Sequence, residues 1–408
     1  CVVVAEKPEY HMQTFIEPYS PAFSGEIRVP MSAIPAMPMS ERKIIARRAA
    51  MELKANAVVN LGIGMPEGVA NVAAEERIID LLTLTAEPGV IGGVPAGGLN
   101  FGAATNTQAI IDQPSQFDFY QGGGLDIAVL GLAQADRQGN LNVSKFGPRL
   151  AGSGGFIDIS QNAKKVVFVG TFTAGNLDVT VDGEKLQILE DGTAMKFVEE
   201  VEHRTFSGPE AARRGKEVIY ITERCVFRLT PDGLQLTEIA PGVDLQKDIL
   251  DKMAFRPIID GEPALMDERI FADEAMGIRP QLLDVPMVQR LNYDATQNLF
   301  FLDFSGLAVR SEADIKGIEA AVEAVLQPIG HKVNAIVNYD RFSIVPELID
   351  DYIAMVKGVV DRHYHAVTRY TSSTFLRMKL GEAMERRQIV PRMCETADQA
   401  HTALIESA

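Results

Sequence analysis

Between residues 57 and 87 the chain passes from a continuous apolar run to a helical repeat and back. Ala57-Val58-Val59-Asn60-Leu61 reads as a buried strand, and Gly62-Ile63-Gly64-Met65-Pro66-Glu67-Gly68 as the turn after it. Val69, Val72 and Ala73 then recur on one helical face, with Pro66 suited to the first turn. Leu82-Thr83-Leu84-Thr85 closes one βαβ unit. Upstream, Ser40 is placed to cap a helix carrying Ile44, Ile45, Ala49 and Leu53 on one face. Downstream, residues 125–132 and 165–170 read as further buried strands. From 177 to 201 the pattern changes to strict alternation (Val179, Val181, Leu186, Ile188), which predicts antiparallel hairpins. Residues 218–221, 226–229 and 234–236 continue in that style, with Pro231-Asp232-Gly233 as a turn. After residue 296 strands at 299–302, 333–337 and 367–370 alternate with helices at 312–326, 348–360 and 376–384. The fold class expected is α/β: an open, mainly parallel sheet with a β-rich tail, followed by a smaller separate α/β domain.

Two irregular stretches separate these regimes. Residues 6–40 are rich in proline and aromatic residues (Pro8, Tyr10, Phe15, Pro18, Pro30, Pro35, Pro38) without a helical period, and read as an ordered connector. Residues 256–295 read the same way. Val2-Val3-Val4-Ala5 has the pattern of a core strand, which suggests the last strand of a preceding domain. The organisation expected is therefore 1–40, the end of a preceding domain plus connector; 41–260, the main α/β domain; 261–295, a connector; and 296–408, a small α/β domain of unassigned role.

Charge narrows the partners. Of 408 residues, 55 are acidic and 39 basic, a net charge of −16, so the field of the whole protein repels nucleic acid and anionic membranes. A polyanionic ligand needs a local basic patch. The three cysteines, Cys1, Cys225 and Cys394, form no CxxC pair, which argues against a zinc knuckle or disulfide framework and fits a reducing cytoplasm. No apolar run reaches the length of a membrane span.

Candidate chemistry gathers where strands end. Glu87 stands at the end of a buried strand, and Gly89, Gly92, Gly93, Gly97 and Gly98 follow it, a loop that lets backbone approach a ligand. Open α/β sheets bind ligands beyond the carboxyl ends of their strands. A second glycine loop, Gly152-Ser153-Gly154-Gly155, precedes a helix start and could form an anion-stabilising nest. The spacing Gly62-x-Gly64-x-x-x-Gly68, with Glu87 beyond it, imitates a dinucleotide fingerprint and keeps an NAD-dependent dehydrogenase as an alternative. His363-Tyr364-His365 lacks a third ligand nearby and reads as a helix end with solvated histidines, so no metal is expected.

Taken in order, ERKIIARRAA (41–50), NLGIGMPEG (60–68), LTAEPGVIGGVPAGGLNFG (84–102), FDFYQGGGLDIAVLGLAQADRQGNLNVSKFG (117–147), AGSGGFIDI (151–159) and TERCVFRLTPDGLQLTEIAPGVDL (222–245) resemble the family I coenzyme A transferases, closest to the acetate and propionate branch. Ala86 and Pro88 around the glutamate depart from the family's usual form. The resemblance implies transfer of CoA between a short-chain acyl-CoA and a carboxylic acid, as in short-chain fatty acid and ketone body metabolism. It makes Glu87 the covalent nucleophile of a ping-pong reaction through a glutamyl-CoA thioester. Gly154, Gly155 and Asn60 become candidates for the oxyanion and acyl site. Gly92, Gly93, Gly97, Gly98, Lys145, Arg149 and Lys164 become candidates for holding CoA. It further implies no tightly bound cofactor, with CoA as substrate, a preceding CoA-transferase domain on the same or another chain, and a homo-oligomer. A non-catalytic binding module with the same fold is the remaining alternative.

Overall fold

The computed structural model describes residues 1–31, 34, 36–283 and 285–406. It divides into two compact units, Cys1–Arg279 and Pro280–Ala408.

The first unit is built on a 10-stranded sheet. Its strands in chain order are β1 (Val58–Leu61), β2 (Thr83–Ala86), β3 (Val90–Ile91), β4 (Ala109–Ile110), β5 (Ile127–Gly131), β6 (Lys165–Val169), β7 (Glu217–Ile221), β8 (Cys225–Thr230), β9 (Gly233–Ile239) and β10 (Ala264–Leu265). Across the sheet they run β10-β9-β8-β7-β6-β5-β1-β2-β3-β4. The central run from β7 to β2 is parallel, while β8, β9, β3 and β4 pair antiparallel at its flanks. This is the mainly parallel sheet with a β-rich tail that the patterning predicts. The residues of β6 are all buried and those of β5 nearly so, which explains why both read as continuous apolar runs.

Helix α1 (Glu41–Ala50) begins at Ser40, whose side chain accepts from the Lys43 N–H, and α2 (Gly68–Glu75) links β1 to β2. Helix α3 (Gln113–Gln121) was not foreseen, and α4 (Phe156–Asn162) follows the second glycine loop. Strand β1 connects to β2 on one side, and β5 connects to β6 on the other. The order of strands therefore reverses between β1 and β5, the place where open sheets of this kind leave a crevice.

Val2, Val3 and Val4 form no strand and stand exposed, since nothing among the described residues pairs with them. Pro35 lies outside the described residues. Residues 261–279 pack into the first unit: β10 pairs with β9, and Arg47 on α1 donates to the carbonyls of Ile270 and Glu274 at 3.2 and 2.7 Å.

The second unit has a 5-stranded sheet, β11 (Leu291–Asp294), β12 (Leu299–Asp303), β13 (Val333–Asn338), β14 (Tyr364–Tyr370) and β15 (Met393–Cys394), ordered as numbered. Only the first pair is antiparallel. Helices α5 (Glu312–Leu326), α6 (Ile349–His363) and α7 (Thr374–Arg386) supply Ile318, Val322, Tyr352, Ile353 and Leu380 to one core. Helix α8 (Ala397–Ile405) covers the other face through Ala400 and Leu404, against Ile336, Ala366 and Tyr370. His363 is not solvated as the sequence suggested, because its Nε2 lies 2.7 Å from a Glu323 carboxylate oxygen on α5. Among the described residues no helix is long and apolar enough to cross a membrane.

Candidate active site

Glu87 follows the last residue of β2 and is half-buried. It faces a cleft of about 480 Å³ lined by Asn60 on β1 and Gly62 just after it, Leu130 and Gly131 at the end of β5, and Gly152 to Phe156 at the start of α4. Burial pushes the Glu87 carboxyl above its ordinary value, and the backbone N–H of Gly155 pulls it partway back. Gly155 must be glycine here: a Cβ on it would stand 2.5 Å from Glu87 Oε2. The Gln113 amide, at the start of α3, lies 3.5 Å from the other carboxylate oxygen.

Beneath the cleft floor lies a polar network that sequence reasoning missed. Asn60 on β1 sits opposite Thr85 on β2, so their side chains share a face of the sheet. The buried Tyr120 hydroxyl accepts from Asn60 Nδ2 at 3.0 Å and from Gln116 Nε2 at 2.9 Å, and donates to Thr85 Oγ1 at 2.9 Å. Thr85 in turn donates to the Val59 carbonyl at 3.1 Å. This fixes the Asn60 amide at the cleft with Oδ1 unpartnered. The available signal was Gln116 and Tyr120 at helical spacing.

The other candidates separate. Gly154 and Gly155 line the cleft, whereas Gly92, Gly93, Gly97 and Gly98 do not. Gly92 and Gly93 have φ of 74° and 75° and turn tightly against the Gln108 side chain and the Thr105–Asn106 backbone, and Gly93 lines a separate cavity with Asn106 and Gln108. Gly98 donates to Glu67 Oε2 at 3.1 Å, and Gly97 packs on the same carboxylate. From that loop it is Phe101 that reaches the cleft. Lys145 and Arg149 are exposed on a two-stranded turn whose end is tied back by the Ala151 and Gly152 N–H groups donating to the Ser144 carbonyl at 2.8 and 3.0 Å. The residues flanking this hairpin, Val143 and Gly152, line the cleft. Lys164 instead precedes β6 and pairs with Asp126, just before β5, at 2.8 Å. That is the amino-terminal edge of the parallel strands, away from Glu87, so Lys164 stands outside the CoA-binding set expected from sequence.

The dinucleotide reading loses its anion site. The Gly64 N–H that would face a pyrophosphate donates to Glu67 Oε1 at 2.8 Å, so a fixed negative charge already occupies the turn. The conspicuous TERC stretch is structural: Arg224 is fully buried against Glu223 at 2.7 Å and Asp191 at 3.0 Å, and Glu223 accepts from the Phe172 N–H. Among the described residues no cluster of His, Cys, Asp and Glu suited to a metal forms.

Comparison with known proteins supplies the family. The chain is 33% identical over 218 residues to the acetate CoA-transferase subunit beta of Escherichia coli, 51% of this chain and 89% of that subunit. The chain belongs to the family I coenzyme A transferases. It is also 50% identical over 282 residues to the caffeate CoA-transferase of Acetobacterium woodii, 68% of this chain and 54% of that protein. Among solved structures, the acyl-CoA transferase YdiF of Escherichia coli O157:H7, in its thioester complex with CoA, superposes with a TM-score of 0.56 at 51% identity. That match covers 60% of this chain and 46% of YdiF. The chain thus spans about half the length of the longer relatives it matches. No family model matches it.

Proposed function

We propose that this chain carries the nucleophile-bearing half of a CoA-transferase that exchanges CoA between a short-chain acyl-CoA and a carboxylic acid. The observation that carries the reading is a partly desolvated carboxylate, Glu87, held by a backbone N–H at the wall of a cleft at the strand ends. Desolvation raises the energy of an ionised carboxylate and so raises its reactivity toward a thioester, which a hydrated carboxylate attacks poorly.

In the proposed sequence a Glu87 oxygen attacks the acyl-CoA carbonyl, and the C–S bond breaks to give a mixed anhydride and CoA thiolate. The thiolate then attacks the Glu87 carboxyl carbon, releasing the acyl group as its carboxylate and leaving a glutamyl-CoA thioester. The incoming acid reverses these steps. In the second addition the oxyanion develops on Glu87 itself, and the Gly155 N–H already points there; one such donor is worth about 3 kcal/mol. Gly154 and the Asn60 amide are the remaining candidates at the acyl end. Lys145 and Arg149 are the cations for the CoA phosphates. The YdiF complex is named as a thioester with CoA, which is consistent with a thioester stage in this sequence.

Relatives matched along most of their length are beta or B subunits. We therefore infer that a second CoA-transferase domain, on the same or another chain, completes the acyl site. Exchange at an unchanged rate with that domain removed would overturn this inference. The test of the nucleophile is the mass of the complete protein after exposure to acyl-CoA. The wild type is expected to gain the mass of CoA less one water, and Glu87→Gln is not. The variant should lose many powers of ten in turnover while keeping CoA affinity. Exchange by freshly prepared Glu87→Gln at more than about a hundredth of the wild-type rate would sink the mechanism.

A further inference from the structure

The second unit contains a buried charge with no counter-charge among the described residues. Arg369 on β14 is 1% exposed, and among the described residues no carboxylate pairs with it. Its Nη1 donates to the Pro391 and Val390 carbonyls at 3.0 and 3.5 Å and the guanidinium also hydrogen-bonds the Tyr339 hydroxyl, but its Nε has no partner. The Tyr364 hydroxyl, equally buried, has none either. A guanidinium taken out of water without a counter-charge is among the most expensive arrangements a core can hold.

The two groups are brought together by a backbone irregularity. Register between β13 and β14 shifts so that Val333 faces Tyr364 while Asn334 faces Ala366, leaving His365 as an extra residue. A bulge of this kind changes which side chains share a face. It turns Tyr364 to the side of the sheet that carries Val367 and Arg369, whereas Ala366 and Tyr370 serve the opposite core. Tyr364 and Arg369 then line one cavity of about 30 Å³ together with Tyr339 and Tyr352, whose hydroxyls lie 2.8 Å apart. The rest of the wall is apolar, Phe304 among it. Met355 and Val356, half-buried on α6, form its outer side and offer the route in. The space exceeds the roughly 10–15 Å³ that a single water requires, yet admits nothing much larger.

We propose that this cavity is a binding site for a small monovalent anion, a halide or the head of a one- or two-carbon carboxylate, held by Arg369 and the Tyr364 hydroxyl. The anion would supply both missing partners at once, accepting from Arg369 Nε and from the tyrosine. Its size and single charge exclude phosphate, nucleotides and CoA. The inference does not rest on the proposed transferase reaction, since the cavity lies within the second unit and uses none of the residues around Glu87.

The test uses the full chain, with sodium chloride and sodium formate as probes against sodium gluconate at equal ionic strength. The protein has no tryptophan, so tyrosine absorbance can report the site directly. Chloride and formate should each give a saturable tyrosine difference spectrum and raise the melting temperature by a few degrees, and gluconate should do neither. Tyr364→Phe, which removes only the hydroxyl, should weaken the apparent affinity severalfold. Arg369→Met should abolish the response and, in gluconate, melt no lower than wild type, because an apolar side chain replaces an unpaired charge. Identical responses in the three salts would overturn the proposal. So would a chloride response that survives unchanged in Tyr364→Phe, a variant that decides the matter even if Arg369→Met fails to fold.

Discussion

At Gly155 the backbone lies so close to the Glu87 carboxylate that one added methyl group would meet an oxygen. Its φ of −78° is open to any residue, so Gly155→Ala brings no backbone strain, but its Cβ would meet the Phe117 ring at 2.7 Å as well as Glu87. Expected is a drop in turnover of about 100-fold, the scale of a misplaced catalytic group, in a protein that still melts cooperatively; near wild-type turnover would show that Glu87 is not held this way. The same burial has a stability signature. A carboxyl whose folded pKa lies above its unfolded value gives stability that is present below about 4.5 and lost as pH rises through the folded value. At neutral pH the native state thus holds a destabilising charge. Glu87→Gln should melt at or above wild type at pH 7, with the gap closing on acidification. Glu87 and the glycines at 154 and 155 were legible in sequence because residue type and position after a strand already imply chemistry. Tyr120 and Thr85 were not, since a tyrosine and a threonine in apolar surroundings look like core until the register between β1 and β2 is known.

Helix α1 shows what patterning leaves out at the scale of an element. Its cap and apolar positions were readable, but Lys43, Arg47 and Arg48 are buried along with the apolar residues. Arg48 pairs with Glu52 and Glu238 at 2.6 Å each, and Lys165 at the start of β6 reaches Glu52 at 2.5 Å and Glu217 at 2.7 Å. A charged helix face reads as solvated, and only the tertiary fold reveals that five groups compensate one another. Burial opposes ionisation of Glu52, but Arg48 and Lys165 outweigh it and hold its pKa below the ordinary value. The linked stability is therefore present above about 4.5 and lost as pH falls through the lower folded value. Glu52→Gln should cost about 2 kcal/mol at pH 7, because both cations keep a second carboxylate, and the difference from wild type should vanish in acid denaturation. A constant difference across that range would contradict the ion-pair account. Lys164 misled for a related reason: one residue before β6 sounds close to a glycine loop in sequence, yet strand polarity puts it at the far edge. Helix α3 went unseen because Gln113–Gln121 carries aromatic residues on several faces and no apolar stripe.

For the whole molecule, sequence alternation distinguished two α/β regimes, but it could not say which of them a proline-containing stretch packs against. That depends on partners such as the Glu76 carboxylate, which accepts from the Ile278 N–H at 3.0 Å and ties the end of the first unit to α2. The wall of the Glu87 cleft comes entirely from residues between Asn60 and Ile159, and the second unit has a separate core around Phe300, Tyr352 and Leu380. Nothing in the proposed chemistry draws on Pro280 or beyond. A stop codon after Arg279 in the complete protein should therefore leave the CoA mass adduct on Glu87 and the exchange rate within about twofold of the full-length value, since groups that neither touch the substrate nor share a core with the site contribute little to turnover. The same truncation should abolish any response to chloride or formate, whose proposed receptors, Arg369 and Tyr364, are removed. Loss of the adduct in a truncated protein that still melts cooperatively would show that the second unit takes part in building the site.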